Sequence, residues 1–398
     1  MRRRNHCNKM NERSSLLPFS KNNDVYNNQR RYYSYLPSCI TIAILCTCFF
    51  LVLINKHFQG IRSANTIPII SSSSILDYNN DKKYIHPGSI FLDIQNKLIN
   101  AHGGGFLFYN NTYYWYGEIK VGSTYLPESN EDWGGTRVDL TGISCYSSAD
   151  LLNWKYNGNV LPAVLNDTEH DLYIDKVAER PKVVYNEQTD KFVMWLHIDS
   201  MDYKRARSGV AVSDTPEGPF TYIHSFRPNI NQMARDLTVF VDDDTRSYLF
   251  YSSEDNAAIH VTELSEDYLS TKGNYSRIFV GRYMEAPTVF KKDGAYYFIG
   301  SGCTAWKPNA ARSAVSYTSI LGPWEELGNP SRGLDANATF YSQSTYVLPV
   351  VSDDGSDRFI FIADRWNEQN LSDSRYVWLP ISFEEERPTI HWLDEWSP

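Results

Sequence analysis

One pattern recurs along this 398-residue chain and limits its fold more than any other feature: a short apolar run, a polar turn, then an aromatic-rich run. It stands at "GGFLFYNNTYYWYGE" (104–118), "RPKVVYNEQTDKFVMWLH" (180–197), "DLTVFVDDDTRSYLFYSS" (236–253), "EAPTVFKKDGAYYFIGSG" (285–302) and "QSTYVLPVVSDDGSDRFIFIADR" (343–365). β-prone residues on both sides of an Asn/Asp/Gly turn are hairpin chemistry, and Asp293-Gly294 in the fourth copy predicts a type I′ turn. Between the copies, "SSADLLNW" (147–154), "SDTPEGPF" (213–220) and "YTSILGPW" (317–324) read as outer-strand signatures. No segment sustains a helical period. Five units, each able to supply four strands, predict an all-β fold, a five-bladed β-propeller. A β-sandwich is the competing architecture, but it gives no reason for polar residues to recur at one end of alternate hairpins.

In a propeller the first strand of each blade lines the central axis, so side chains at equivalent strand starts converge. Those positions hold His102, Glu179, Asp236, Glu285 and Gln343. Glu179 and Glu285 each sit two residues before a proline. Hydrolysing a glycosidic bond needs a proton donor on the leaving oxygen, and an inverting enzyme also needs a base about 6.5–9.5 Å away to activate water. Glu285 is the candidate acid, because Asp236 on the neighbouring blade would oppose its ionisation and keep it protonated near neutrality. The competing reading makes both carboxylates structural, capping strand backbone or pairing with Arg235 or Arg365.

The first 84 residues are a different material. Residues 1–37 form a basic tail, residues 38–55 contain the apolar run "CITIAILCTCFFLVLI", and residues 56–84 read as a polar stem. Such a run is at the short end for a membrane helix, and basic residues ahead of it keep the N-terminus cytosolic. The expectation is a single-pass type II membrane protein of the secretory route, the Golgi above all, with residues 85–398 lumenal. A cleaved signal peptide is the alternative, disfavoured by the long basic region. Sequons at Asn110, Asn166, Asn274, Asn337 and Asn370 fit a lumenal body. Residues 1–62 carry 10 basic and 2 acidic residues of the chain's 38 and 47, which leaves 28 against 45, a net of −17, for the rest. Nucleic acid is not a partner such a body suits. Of the six cysteines only Cys145 and Cys303 fall beyond the span, and they read as buried thiols, with pairing as the alternative.

The segments "INAHGGGFLF…YYWYGE", "ERPKVVYN", "RDLTVF", "YSSEDN", "EAP", "SGCT", "SQSTYVLP" and "ADRWN…DSRYVWLP" together resemble glycoside hydrolase family 43. They are most similar to its exo-β-1,3-galactosidase (galactan 1,3-β-galactosidase) branch, which includes plant Golgi members of the same membrane topology. The resemblance runs collinearly from about residue 99 to 380. It implies a propeller, inversion at the anomeric carbon, and β-1,3-galactan chains of arabinogalactan proteins as substrate. Glu285 matches the family's general acid and Asp236 its pKa-modulating aspartate. The family's usual base, an aspartate on the first blade, is replaced here by "AHGGG". In the galactosidase branch a glutamine matching Gln343 looks like the base, in an imidic form. A neutral amide is a poor base, however. Gln343 is therefore read as positioning the water, with Glu179 as the ionisable competitor for the proton.

Glu118, Tyr203, Asn256 and Thr304 match sugar contacts, and His102 and Arg365 complete that set; Tyr203 reads equally well as core. Trp306 and Trp366 read as stacking platforms or as core. Ala305 stands where the branch carries glycine, and its methyl would weaken binding if the backbone there needs positive φ. "DDD" (242–244) fits a solvated hairpin turn rather than a metal site. "HGGG" (102–105) has no G-x-S-x-G partner, and its glycines read as close-approach positions. The insertion 118–139 is the segment best placed to close the groove. The chemistry requires no cofactor, and the reading leaves room for a structural ion in the channel near His102. The alternatives to galactose release are arabinofuranosidase or β-xylosidase activity, or a propeller lectin without turnover.

Overall fold

The computed structural model describes residues 83–126, 136–351 and 357–398. The expected tail, the span at 38–55 and nearly all of the stem lie outside those residues. No helix among the described residues is long and apolar enough to cross a membrane.

Among the described residues twenty-one strands form five sheets arranged as blades, antiparallel but for one short edge pair. Blade 1 comprises β1 (His102–Tyr109), β2 (Thr112–Glu118), β3 (Gly142–Ser148) and β4 (Lys155–Pro162). Blade 2 comprises β5 (Val177–Asn186), β6 (Lys191–Asp199), β7 (Arg207–Ser213) and β8 (Thr221–Phe226). Blade 3 comprises β9 (Leu237–Val241), β10 (Ser247–Ser253), β11 (Ala258–Leu264) and β12 (Thr271–Ile278). Blade 4 comprises β13 (Met284–Lys292), β14 (Ala295–Gly302), β15 (Arg312–Ser316) and β16 (Glu325–Gly328). Blade 5 adds the short β17 (Ser331–Arg332), parallel to its outer strand, to β18 (Gln343–Val351), β19 (Asp357–Arg365), β20 (Arg375–Glu384) and β21 (Arg387–His391).

The first strands touch in a closed ring, β1 to β5 to β9 to β13 to β18 and back to β1. Period-2 alternation makes this possible, since each blade must bury both faces. On β6, Trp195 packs toward blade 3 with Leu249 and Tyr251, while Met194 and Leu196 pack toward blade 1 with Tyr116 and Ile143. The five apolar clusters lie one at each interface between neighbouring blades. The cluster joining blades 1 and 5 holds Trp115, Trp154 and Trp378. Ile85 and Trp396 pair there through hydrogen bonds of 2.7 and 3.1 Å, clasping the two ends of the ring.

Local expectations hold. Asp293 and Gly294 have φ of 50° and 80°, as a type I′ turn requires. "DDD" forms the β9–β10 turn, with Asp242 and Asp243 bound to Lys291. Both Gly-Pro signatures lie in third-to-fourth-strand links.

The glutamate-x-proline motif has a structural explanation. Register breaks between Glu179 and Lys182 on β5 and between Glu285 and Thr288 on β13, with parallel breaks after His102 and Ser344. These are β-bulges, which bend a strand and re-aim its side chains. On β1, β5 and β13 the residue following the polar group has positive φ: Gly103 at 59°, Arg180 at 55° and Ala286 at 54°. Pro181 and Pro287 fall within the bulges, where no ladder N–H is forfeited.

Candidate active site

The strand starts converge on one cavity of about 440 Å³. Glu118, Glu179, Tyr203, Asp236, Asn256, Glu285, Trp306, Gln343 and Trp366 all line it, together with Ala305. Three groups that sequence reasoning missed, Lys120, Arg180 and His197, line it too.

Arg180 organises the centre. Its Nη2 lies 2.9 Å from Asp236 Oδ2 and donates to Gln343 Oε1 at 2.7 Å, and its Nη1 donates to the Ser344 carbonyl at 3.0 Å. Its backbone N–H donates to Glu118 Oε1 at 3.0 Å. One guanidinium from blade 2 thus ties blades 3 and 5, using the fixed fork that suits buried ion pairs. Glu118 reaches its place only because residue 103 is glycine: a Cβ there would sit 2.0 Å from Glu118 Oε1.

Gln343 has a fixed orientation. Its Oε1 accepts from Arg180 and, at 3.1 Å, from Trp366 Nε1, both obligate donors, so the amide nitrogen faces the other way and donates to Ser301 Oγ at 3.0 Å. That nitrogen has no free lone pair, so the amide as it stands can orient a water but not take its proton.

The two axial glutamates differ. Burial and the nearby Asp236 carboxylate push Glu285 up to about 7, against the weaker pull of Arg180 and of a hydrogen bond with Cys303. Asn256 Nδ2 donates to Glu285 Oε1 at 2.8 Å, and Asp236 Oδ2 accepts the Ala286 N–H at 3.0 Å, which fixes the two carboxyls side by side. Burial would also raise Glu179, but Lys120, His197 and Tyr203 together hold it at about 2. Tyr203 donates to Glu179 Oε1 at 2.9 Å; Lys120 Nζ is 3.6 Å away and His197 Nδ1 3.5 Å. His197 is itself clamped by Asp199 at 2.9 Å, and despite burial these two carboxylates raise it to about 10.

One donor atom each from Glu179, His197 and Asp236 lies within 4.8 Å of the others, a spacing a metal ion could use. Each member also has a protein partner: Lys120 lies beside Glu179, Arg180 beside Asp236, and Asp199 beside His197.

Three expected sugar contacts fall outside the cavity. His102 is buried, with its ring nitrogens 2.9 Å from Asp364 and 3.5 Å from the Tyr376 hydroxyl. Arg365 donates to the Phe340 carbonyl and lies over the Trp392 ring. Thr304 donates to the Lys307 carbonyl and accepts from Asn309. Asp236 pairs with Arg180, not with Arg235 or Arg365; Arg235 meets Asp255 instead. Cys145 and Cys303 are free thiols, the first buried and the second partly so. Ala305 has φ of 51°, the condition under which its methyl was expected to matter. Of the insertion, Tyr125 and Arg137 pair antiparallel, with hydrogen bonds of 2.8 and 3.0 Å, while residues 127–135 lie outside the described residues.

His197 faces Glu179 only because the β5 bulge shifts the register by one; pairing the second hairpin about its turn alone would set it opposite Arg180. Nor could Arg180 be found from the sequence, because only the bulge aims it inward.

The model of glycosyl hydrolases family 43 matches residues 104–360. The chain belongs to that family. It is therefore a glycoside hydrolase. A solved family 43 β-1,3-galactosidase in complex with galactodeoxynojirimycin is 41% identical, with a TM-score of 0.72, over 79% of this chain and 100% of that one. An exo-β-1,3-galactanase variant from Phanerochaete chrysosporium, with β-1,3-galactotriose, is 33% identical with a TM-score of 0.70, over 80% of this chain and 68% of its own. A β-D-galactofuranosidase of Aspergillus niger is 30% identical over 253 residues, 60% of this chain and 70% of that protein.

Proposed function

We propose that this hydrolase releases terminal galactose from β-1,3-linked galactan with inversion at the anomeric carbon. Glu285 protonates the leaving oxygen, Asp236 keeps that proton in place until then, and Gln343 orients the attacking water; the proton this water sheds as its oxygen bonds the anomeric carbon passes to solvent, from which Glu285 is reprotonated. Glu179, anionic throughout the working range, binds sugar hydroxyls with Glu118 and Tyr203, and Trp306 supplies an apolar face. The observation that carries this reading is Glu285: a carboxyl held protonated up to about pH 7 beside a paired carboxylate in a sugar-sized cavity. A pKa of about 2 makes Glu179 a weak proton acceptor at neutral pH.

The test is incubation of the full-length protein with linear β-1,3-galactan and with aryl β-galactofuranoside, arabinofuranoside and xyloside, following the first-formed anomer by proton NMR. Release of α-galactose from galactan supports the proposal. Release of β-galactose overturns inversion, and release of galactofuranose alone, the reading favoured by the Aspergillus relative, overturns the substrate. Pentose release, or binding without hydrolysis, overturns it as well.

We also propose that residues 38–55 anchor the chain as a type II protein with the propeller in the Golgi lumen. The uncharged run behind a basic tail supports this, as does exposure of all five sequon asparagines. Protection of the propeller from protease in sealed vesicles, and a mobility shift on enzymatic deglycosylation, are the expected results.

A further inference from the structure

Lys182 is a buried cation that the proposed chemistry does not use. It is 2% exposed and lies on β5, two residues past Arg180. Its Nζ is 3.0 Å from the carbonyl of Gly103, 3.3 Å from that of Pro181 and 3.4 Å from that of Arg180. An ammonium has three protons to donate, and three carbonyl oxygens receive them; a neutral amine would turn a lone pair toward one of those oxygens.

The route of this side chain also accounts for the last glycine of "HGGG". A Cβ on Gly105 would lie 2.6 Å from Lys182 Cδ and 2.8 Å from the Pro181 carbonyl. The lysine stem passes through space that only glycine leaves open. If volume alone were needed at this point, an apolar side chain would fill it without the cost of burying a charge.

All three carbonyls belong to bulge residues. Gly103 follows His102 in the β1 bulge and seats Glu118, while Arg180 and Pro181 form the β5 bulge that presents Glu179 and the guanidinium holding Asp236 and Gln343. We infer that Lys182 is a built-in cation of the inner-strand ring, a positioning residue whose three N–H donors lock the β1 and β5 bulges in the shape that aims the active-site side chains. This rests on the active-site reading above for its catalytic consequence, but not for its structural one.

Burial and the neighbouring Arg180 lower Lys182 to about 7, while Glu118, Asp236 and Asp364, from blades 1, 3 and 5, favour its charged form. The carbonyl cage acts in the same direction as those carboxylates.

The experiment uses two full-chain variants, Lys182→Met, which keeps the volume without N–H donors, and Lys182→Ala, which opens the cage. Melting temperature and kcat/KM on β-1,3-galactan are measured with and without methylammonium, and with tetramethylammonium, which carries charge but no N–H. The expected result is a loss of about 10²-fold in kcat/KM for Lys182→Met, and recovery of Lys182→Ala in both readouts by methylammonium alone. If Lys182→Ala folds only when refolded with methylammonium, the inference stands. A Lys182→Met variant with wild-type melting and turnover overturns it. So does a Lys182→Ala variant indifferent to methylammonium, or one rescued equally by tetramethylammonium. The melting arm needs no substrate, so it is decided even if the wild-type protein releases no galactose.

Discussion

Glu179 on blade 2 and Glu285 on blade 4 share almost everything local. Each stands near the start of an innermost strand, before a residue of positive φ and a proline inside a β-bulge. Each carboxylate is largely buried. Yet one is held at about 2 and the other raised to about 7. The difference comes from neighbours delivered by other segments of the chain. Glu179 meets the Lys120 ammonium, the protonated His197 and the Tyr203 hydroxyl, whereas Glu285 meets a second carboxylate, Asp236. Identical backbone devices thus present one permanent anion and one proton donor to the same cavity.

The sharpest way to break this contrast is to neutralise each glutamate in turn. Glu285→Gln should cut kcat by about 10²–10⁴-fold, while Glu179→Gln should act mainly on KM. If Glu179→Gln falls as far in kcat as Glu285→Gln, Glu179 takes the water's proton and the assigned division of labour is wrong.

Next in size is the guanidinium that separates the two environments. Arg180→Met strands the Asp236 carboxylate in the interior and should destabilise the fold by about 3–5 kcal/mol, measured by urea unfolding. Arg235→Met, whose partner Asp255 is exposed, should cost about 0–1 kcal/mol.

The pH dependence follows with a definite sign. The folded-state pKa of Glu285 lies above its unfolded value, so its contribution to stability is complete below the unfolded pKa and is lost as pH rises through about 7. Turnover should fall over the same rise as the proton is lost. Glu285→Gln stays neutral, so its melting temperature should gain on the wild type between about pH 5 and 8. A constant difference across that range would show that Glu285 is ionised throughout. Glu179 has the opposite sign, with stability present above its unfolded pKa and lost as pH falls through about 2. Removing the ammonium in Lys120→Met should raise that lower limit, visible as an earlier rise in KM on acidification.

The smallest effect belongs to the rim. Ala305 holds a left-handed conformation, so Ala305→Gly should stabilise the protein by about 1 kcal/mol and lower KM. An unchanged KM would place the methyl clear of the sugar.

Much of the fold was legible because it is written locally. Hairpin turns, two-residue alternation and the five recurrences depend on residues within about 20 positions of one another, and Asp293-Gly294 or the paired Glu-x-Pro motifs carry their geometry in their own chemistry. The convergence of Glu179, Asp236, Glu285 and Gln343 followed from the repeat, since a ring brings the backbones of equivalent strand starts near one axis. His102, Thr304 and Arg365 did not follow, because nearness in sequence to the cavity says nothing of which way a side chain turns. His102 turns to Asp364 and Arg365 to the Phe340 carbonyl, both outside the pocket.

The sequence by itself determined where strands begin, which polar groups head them, and that those of four blades, Glu179, Asp236, Glu285 and Gln343, come together. Tertiary structure alone decided which carboxylate keeps its proton. Electrostatic environment is set by charges a few ångströms away, and here Lys120, Arg180 and Asp236 reach their places from three different blades, in side-chain directions that no linear pattern specifies.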